Sequence, residues 1–167
     1  MRAGIALGSN LGDRLLNLRR ARSEVLGLGG VRGPLVSSRI YETEPVNSGA
    51  DSSAYLNAVI EVEYEGQPIT LLDRLQRIEA GFGRPSKRPR NAPRIIDLDI
   101  LYAGNISLSN DEVMIPHPRL HLRRFVLAPL ADIRPELILP GQGLPVSELL
   151  ARLDDTAGVK VFAEAWE

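Results

Sequence analysis

Two aspartates, Asp97 and Asp99, stand one residue apart in an apolar run that directly follows a basic stretch. The run from Ile95 to Leu101 is rich in aliphatic and β-branched residues, which predicts a strand. Because side chains alternate across a strand, both carboxylates are expected on one face, with attachment points roughly 6–7 Å apart. Two like charges this close on an apolar strand repel each other, and a hard divalent cation bound by both would remove that conflict. The spacing therefore indicates a divalent-cation site.

The basic stretch lies immediately upstream of the aspartates. Residues 84–94 carry five cations and no acid. Arginine side chains beside a bound cation are well placed to bind a polyphosphate, because each guanidinium group can donate several hydrogen bonds to phosphate oxygens. A cation, a clamped polyphosphate and a strand that positions both are typical of phosphoryl transfer on a nucleotide. The five cations are Arg84, Lys87, Arg88, Arg90 and Arg94.

Each of these signals has an alternative. A lone Asp-x-Asp is usually two solvated carboxylates, and a charged run is usually a solvated loop. The basic loop could also bind RNA on a sheet, but the aspartate strand offers only Tyr102 for base stacking, and its carboxylates repel a phosphate backbone. A metal-dependent phosphohydrolase that uses the paired aspartates is a further alternative. RNA binding predicts salt-sensitive capture of single strands, and hydrolysis predicts phosphate release from a nucleotide alone.

The composition is that of an ordinary globular protein, with 44% apolar and 25% charged residues among 167. A net charge of -1 points to neither nucleic acid nor a membrane surface as partner. The absence of cysteine excludes disulfides and thiolate chemistry. The N-terminal apolar segment is too short for a signal peptide, and no apolar run approaches a membrane span. We therefore expect a cytoplasmic protein with a single domain over residues 1–167.

The predicted elements follow the order β-α-β-β-α-β, which matches the ferredoxin-like split βαβ arrangement. The expected fold class is α+β, with an antiparallel sheet, both helices on one of its faces and the active site on the other side. A C-terminal extension of short helices and a strand follows this core. Strands are predicted at 3–8, 31–42 (interrupted at Gly33-Pro34), 55–64 and 95–102, helices at 13–28 and 68–82, and, in the extension, helices at 120–131 and 146–153 and a strand at 159–162.

The strand at 55–64 separates two sets of side chains by alternation. One set, from Leu56 to Tyr64, is apolar and is assigned to the core, whereas the opposite set begins with Tyr55 and Asn57 and is partly polar. A tyrosine in such a position is often only partly packed. Beside a flat amide, however, it could stack on and hydrogen-bond to a planar heterocycle.

Three other features allow both a structural and a functional interpretation. Gly8 to Gly12 follows a strand and precedes a helix, as phosphate loops do, but it lacks the P-loop ending, which favours a tight structural turn. Gln76 and Glu79 share a helix face that is ordinarily solvent exposed. His117, restrained between two prolines, is equally a packed loop residue or a ligand, and Phe125 is more often a core residue.

Taken together, these residues resemble the 6-hydroxymethyl-7,8-dihydropterin pyrophosphokinase family of folate biosynthesis nearly end to end. Several motifs that follow one another at matching spacing carry the resemblance, and the segment from Pro93 to Ile100 is the most specific. The other motifs are Ala6 to Asp13, Tyr55-Leu56-Asn57, Gln76-Arg77-Ile78-Glu79, Pro116-His117-Pro118-Arg119 and Arg123 to Leu130.

The resemblance implies transfer of pyrophosphate from ATP to the hydroxymethyl group of the pterin, with release of AMP. Two magnesium ions per active site would be held by Asp97 and Asp99 and would bridge the ATP phosphates. Arg84 and Arg94 would offset the charge that develops on those phosphates, and Asp97 could assist the attacking hydroxyl group. The implied partners are ATP and the dihydropterin, with no nucleic acid and no membrane, and the implied state is a monomer.

The same resemblance assigns the substrate contacts. Tyr55 and Phe125 would sandwich the pterin ring, and Asn57 would read its edge. The pterin set is completed by Thr43, Pro45, Val46 and Asp97. The nucleotide set comprises Gln76, Glu79, Arg84, Lys87, Arg94, Ile100, His117 and Arg123. Loops near residues 10–13, 43–53 and 84–94 would close over the substrates.

Five positions depart from one well-known form of the family's pattern. Asn91 stands where some members place a tryptophan that helps to seal the site, and Ser86 stands where some carry a second loop arginine. Glu112, Met114 and Pro118 replace more polar or aromatic nucleotide contacts. These departures concern the loop and the nucleotide contacts, and they leave the aspartates and the pterin pocket unchanged.

Overall fold

The computed structural model describes residues 1–44, 54–83, 95–154 and 158–167, and within these ranges it has eight strands and four α-helices. They are β1 (Arg2–Ser9), α1 (Arg14–Leu26), β2 (Val31–Ser37), β3 (Ile40–Thr43), β4 (Tyr55–Tyr64), α2 (Pro68–Gly81), β5 (Asp97–Ala103), β6 (Leu108–Ser109), β7 (Met114–Ile115), a 3-10 turn at Leu120–Leu122, α3 (Arg124–Ile133), α4 (Val146–Ala151) and β8 (Val159–Ala163). None of the helices in the described part of the chain is both long and apolar enough to cross a membrane.

Six of the strands form one antiparallel sheet in the order β5-β1-β4-β3-β8, with β2 also paired to β4. With β1 and β4 in the centre and α1 and α2 as the crossovers, this is the ferredoxin-like arrangement. The predicted α+β fold class is therefore confirmed. The sequence did not predict the β6–β7 hairpin, because two residues per strand are too few to show alternation.

Helix α1 begins where the sequence predicts because Asp13 caps it. The carboxylate of Asp13 accepts a backbone N–H of the first turn at 3.1 Å. The buried amide of Asn17 then donates to the Ser9 hydroxyl at 3.2 Å and to the Leu11 carbonyl at 2.9 Å. These bonds fasten the turn between β1 and α1 to the helix, which supports its interpretation as a structural turn.

The main core lies between the sheet and the two crossover helices. The apolar stripes of α1 and α2 pack on alternate residues of β1 and on the residues of β4 that the sequence assigned to the core. Removal of these aliphatic side chains from water is the main force that holds the helices on this face. Fully buried members include Ile5, Leu18, Val25, Leu56, Ile60, Leu71 and Leu75.

The sequence predicted that the opposite face of the sheet is free for a site, but the structure shows this face partly covered. Helices α3 and α4 cover half of it, and Leu127, Leu130 and Val146 pack there against Val59 and Leu101. Alternation along β4 had placed Val59 on a mixed, partly polar face, yet it is fully buried. Near the first residues of β5, Asp97 is half-buried and Asp99 is exposed on this face.

The predicted strand at 31–42 is two strands. Its pairing with β4 is irregular between Arg32 and Val36, as Gly33-Pro34 suggested. The break itself falls at Ser38, whose N–H donates to the Val59 carbonyl at 2.9 Å while its hydroxyl accepts the Val59 N–H at 2.9 Å. Because a side chain replaces the backbone partner here, the regular ladder ends and β3 starts in a new register.

Candidate functional site

Strand β5 begins at Asp97, two residues later than predicted, so the two aspartates are its first and third residues. Both side chains lie on the partly open face of the sheet, where Asp97 is half-buried and Asp99 is exposed. The register with β1 places Asp97 beside Gly8 and Asp99 beside Ala6. The shared face of the two carboxylates, predicted from alternation, is thus present in the fold.

Glu79 of α2 fixes the backbone between the two aspartates. Its side chain is buried, and its Oε2 accepts the backbone N–H of Leu98 at 2.8 Å. A hydrogen bond in a buried environment is little screened by solvent. The sequence placed Glu79 on a solvent-facing pair, but the fold turns it inward toward β5, where it braces the strand that carries Asp97 and Asp99.

A single glycine separates the carboxylate side of the site from its amide side. On β1, Gly8 is paired with Asp97 of β5 on one side and with Asn57 of β4 on the other. A Cβ at Gly8 would lie 3.1 Å from Asn57 Oδ1 and 3.7 Å from a ring carbon of Tyr55. Because Gly8 has no side chain, only a strip of backbone, itself buried, lies between Asp97 and Asn57.

The amide of Asn57 is held in one orientation. Its Nδ2 donates to Thr43 Oγ1 on β3 at 3.0 Å, and both side chains are buried. Tyr55, half-buried, lies on the same face of β4 and is paired across the sheet with Thr43. With its NH₂ group engaged, Asn57 keeps an oxygen that can accept from a ligand, which suits the edge of a flat heterocycle.

His117 brings the segment after β7 to the aspartate strand. Its backbone N–H donates to the Leu101 carbonyl at 3.0 Å, and its Nδ1 accepts the backbone N–H of Arg119 at 3.3 Å. Burial lowers the pKa of the imidazole, the Asp99 carboxylate opposes that shift, and the Arg123 and Arg119 guanidinium groups reinforce it. His117 therefore lies within electrostatic reach of both Asp99 and Arg123.

Arg123 and Phe125 stand at the start of α3. The guanidinium of Arg123 lies over the Phe125 ring at 5.5 Å from its centre. Phe125 is half-buried against the apolar cluster under α3 rather than fully in the core. The first turn of α3 thus presents a cation and a ring at the border of the covered half of the sheet.

Gln76 and Ile100 lie apart from these groups. Gln76 is exposed on α2, in the wall of an open depression of about 520 Å³ that it shares with Glu112 of the β6–β7 hairpin. Ile100 points to the opposite face of β5 from the aspartates and is buried in the main core. Its side chain is therefore not part of the open surface.

The two aspartates provide part of a cation site. Among the described residues, no group of three or more His, Asp or Glu side chains could hold a metal ion. Mg²⁺ does not need such a group, since it keeps several waters and is usually held by one or two carboxylates together with substrate phosphates. The donor set of Asp97 and Asp99 therefore fits magnesium bound with a polyphosphate.

Five of the predicted site residues fall outside the described ranges. They are Pro45, Val46, Arg84, Lys87 and Arg94. Two features were missed at the sequence level: the role of Gly8 as a spacer and the inward turn of Glu79. A glycine inside an otherwise apolar strand was a usable signal, since it often marks a close approach of a ligand. Helical spacing was a usable signal for Glu79, which lies four residues after the buried Leu75 and so shares its face of α2.

Comparison with known proteins gives a match over most of the chain. The family model described as 7,8-dihydro-6-hydroxymethylpterin-pyrophosphokinase (HPPK) matches residues 4–135. A Haemophilus influenzae 2-amino-4-hydroxy-6-hydroxymethyldihydropteridine pyrophosphokinase is 38% identical over 159 residues, which cover 95% of this chain and 97% of that protein. The Bacillus subtilis protein of the same name is 43% identical over 131 residues, covering 78% and 77%.

Solved structures agree with this at the level of the fold. A crystal structure of a Plasmodium falciparum HPPK-DHPS variant with pteroate superposes with a TM-score of 0.68 at 16% identity. The match covers 90% of this chain and 42% of that chain, so the present chain spans less than half the length of that protein. The likeness shows that both share the ferredoxin-like architecture.

Proposed function

The chain belongs to the 7,8-dihydro-6-hydroxymethylpterin-pyrophosphokinase family, and from that premise we propose how its own residues carry the reaction. Its activity is the transfer of pyrophosphate from ATP to the hydroxymethyl group of 6-hydroxymethyl-7,8-dihydropterin, a step of folate biosynthesis. The hydroxyl oxygen attacks the β-phosphorus, the bond to the α-phosphate oxygen breaks, and AMP leaves. The products are AMP and the pterin diphosphate.

Asp97 and Asp99 are proposed as the metal ligands. The support is their shared open face, their spacing on β5 and the brace from Glu79. Magnesium bound there, two ions in our proposal, would neutralise the phosphate charge and orient the reacting groups. Arg84, Lys87 and Arg94 would contact the nucleotide phosphates, and Arg84 and Arg94 would stabilise charge that grows during transfer.

We propose that the pterin binds along the strip of backbone between Asp97 and Asn57. Gly8 places no side chain on this strip, and the Asn57 oxygen and the Tyr55 ring lie beside it, so a flat ring would bind along it without a steric obstacle from Gly8. Asp97 at the far end of the strip would lie beside the hydroxymethyl group, between pterin and metal. Phe125 would cover the ring from the other side, and Thr43, Pro45 and Val46 complete this half of the site.

The nucleotide half is proposed around His117 and Arg123. His117 lies within electrostatic reach of both Arg123 and Asp99. His117 is half-buried and the pKa of its imidazole is lowered, and a neutral imidazole can donate one hydrogen bond to a nucleotide without adding charge. Gln76, Glu79 and Ile100 remain part of the proposed nucleotide set, Ile100 through its backbone. We also propose that residues 1–167 act as one domain and that the enzyme is a cytoplasmic monomer.

One assay tests the proposed site. The protein is incubated with ATP, magnesium and 6-hydroxymethyl-7,8-dihydropterin, and AMP and pterin diphosphate are quantified with and without a chelator. Chelation should abolish turnover, and Asp97→Asn or Asp99→Asn should slow it by about a hundredfold or more, since each removes an anionic ligand at nearly constant shape. Asp154→Asn, at an exposed position after α4, is the matched control and should leave turnover unchanged.

Three results would contradict the proposed metal role or the proposed reaction. Near-normal turnover of both aspartate variants would refute it. A drop in their melting temperature with a matching loss of activity would assign the two aspartates a structural role instead. Formation of phosphate or ADP in place of AMP would contradict the reaction itself.

A further inference from the structure

Arg14, the first residue of α1, links three separate segments of the chain. Its Nη1 donates to Glu42 Oε2 of β3 at 3.0 Å and to the backbone carbonyl of Ala54, just before β4, at 2.7 Å. Its guanidinium carbon lies 5.6 Å from the centre of the Phe162 ring on β8. The guanidinium and the Glu42 carboxylate are each 23% exposed, so this contact is better shielded than an ordinary surface ion pair.

The segments that Arg14 joins are the ones that carry the pterin-facing residues. Glu42 precedes Thr43, and Ala54 precedes Tyr55. Along the sequence the two contacts of Arg14 lie on either side of residues 45–53. In space they set how the end of β3 meets the start of β4, and that junction is where Asn57 donates to Thr43.

Strand β8 supports the same junction from the far side. It pairs with β3 so that Lys160 faces Glu42 and Val159 faces Thr43. The Lys160 ammonium lies 3.8 Å from the second oxygen of Glu42, and the Glu44 N–H donates to the Gly158 carbonyl at 3.4 Å. Glu42 is thus held between two cations, one from each end of the chain.

We propose that Arg14 is a positioning residue for the pterin half of the site. By holding Glu42 and Ala54 together, with Phe162 as a platform, it keeps Thr43, Tyr55 and Asn57 in one arrangement before the pterin binds. Preorganisation of this kind lowers the ordering cost of binding. The inference rests on the proposed placement of the pterin beside Tyr55 and Asn57, and it assigns Arg14 no contact with substrate.

Arg22 provides a matched control on the same helix. It is also a partly buried arginine of α1 that pairs with a carboxylate, Glu167, and lies over an aromatic ring, that of Trp166, at 4.9 Å. Its contacts anchor the C-terminal residues but reach neither β3 nor the start of β4. Arg14→Met and Arg22→Met therefore remove similar interactions at different ends of α1.

The test measures equilibrium dissociation constants for 6-hydroxymethyl-7,8-dihydropterin and for a non-hydrolysable ATP analogue with magnesium, together with KM, kcat and melting temperature. Arg14→Met should weaken pterin binding by about tenfold, the weight of one charge-assisted hydrogen bond, and raise the pterin KM more than it lowers kcat. Binding of the ATP analogue should stay within about twofold. Arg14→Lys should recover part of the pterin affinity, since it keeps a charge for Glu42 but lacks the flat guanidinium.

The variants test the positioning role of Arg14 separately from the location of the pterin site. Pterin binding by Arg14→Met that equals that of Arg22→Met would overturn the positioning role, even if both variants are less stable. Asn57→Ala tests the pocket itself: if it leaves pterin affinity unchanged, the proposed pterin site fails first. If Arg14→Met does not fold, Phe162→Leu and Arg14→Lys make the same comparison, and unchanged pterin affinity in both would overturn the inference.

Discussion

At the scale of single residues, the proposed site depends on Gly8, a residue without a side chain. Gly8 lies between the carboxylate of Asp97 and the amide of Asn57, and it projects no side chain between them. The side chains of the proposed pterin site are held by short, specific contacts, such as the bond from Asn57 to Thr43. A flat ligand in the proposed site needs both conditions, since the glycine avoids a steric obstacle and the fixed amide gives the ligand an orientation.

A methyl group at Gly8 should therefore act as an obstacle in the proposed pterin site. In Gly8→Ala the new Cβ would stand 3.1 Å from Asn57 Oδ1, so the amide must shift by a few tenths of an ångström. We expect pterin binding to weaken by about tenfold or more while ATP-analogue binding is kept. Isothermal titration with each ligand checks this, with Gly143→Ala as a control at a glycine with open space around it. Equal pterin affinity in wild type and Gly8→Ala would contradict the proposal that the pterin binds beside Gly8.

At the scale of elements, the aspartate strand is aligned by a helix on the other side of the sheet. The buried carboxylate of Glu79 on α2 accepts the Leu98 N–H, and this bond lies between the two aspartates in sequence. Strand β5 pairs only with β1 in the main sheet, among the residues described. The bond from α2 therefore replaces the second neighbour that an edge strand lacks.

Removal of that carboxylate should disturb both stability and metal use. Glu79→Ala leaves the Leu98 N–H without its acceptor, which should cost about 1–3 kcal/mol of unfolding free energy. It should also raise the magnesium concentration needed for half-maximal turnover, because the spacing of the two aspartates is no longer enforced. Glu79→Gln keeps an acceptor and should recover most of the stability. Urea unfolding measures the stability, and magnesium titration of turnover measures the metal dependence. A Glu79→Ala variant with wild-type stability and wild-type magnesium dependence would contradict the role of Glu79 in positioning β5.

At the scale of the whole molecule, two tyrosines hold α3 on the second face of the sheet. Tyr102 of β5 donates to the buried carboxylate of Glu61, which Arg134 also contacts at 3.1 Å at the end of α3. Tyr41 of β3 donates to Asp132 of α3 at 2.8 Å. Burial is the first cause that raises the pKa of both hydroxyl groups, and the carboxylates add to it.

These raised pKa values predict a loss of stability in alkali. Burial and the Asp132 carboxylate raise the pKa of Tyr41 from 10.0 to about 12. Below pH 10 the hydroxyl is protonated in both the folded and the unfolded chain, so its contribution is fully present. As pH rises from 10 to 12 only the unfolded chain releases the proton, and the stability is progressively lost.

Comparison with a phenylalanine variant isolates this effect. Tyr41→Phe should be less stable than wild type near pH 8 by about 1 kcal/mol, the usual net value of one hydrogen bond. The difference should shrink as pH rises from 10 to 12, because the variant has no hydroxyl group to ionise. Urea unfolding at pH 8, 10 and 11 measures it, and a constant difference across this range would disprove the proposed linkage.

The sequence by itself determined those parts of the protein that depend on local patterns. Alternation in β4, the cap at Asp13 and the helical stripes of α1 and α2 each arise from neighbours within a few residues, and each was placed within about two residues of its observed position. The order of these elements was then sufficient for the ferredoxin-like fold class. The motif around Asp97 and Asp99 likewise indicated the chemistry, because two carboxylates on one strand face need nothing beyond strand geometry.

Only the tertiary structure decided how these parts meet. It placed Gly8 between Asp97 and Asn57, turned Glu79 toward Leu98, covered half of the second face with α3 and joined Arg14 to β3, β4 and β8. Each of these contacts joins residues that are distant in sequence. Such contacts are selected by strand register and by competition among apolar surfaces for burial, which no short window of sequence records.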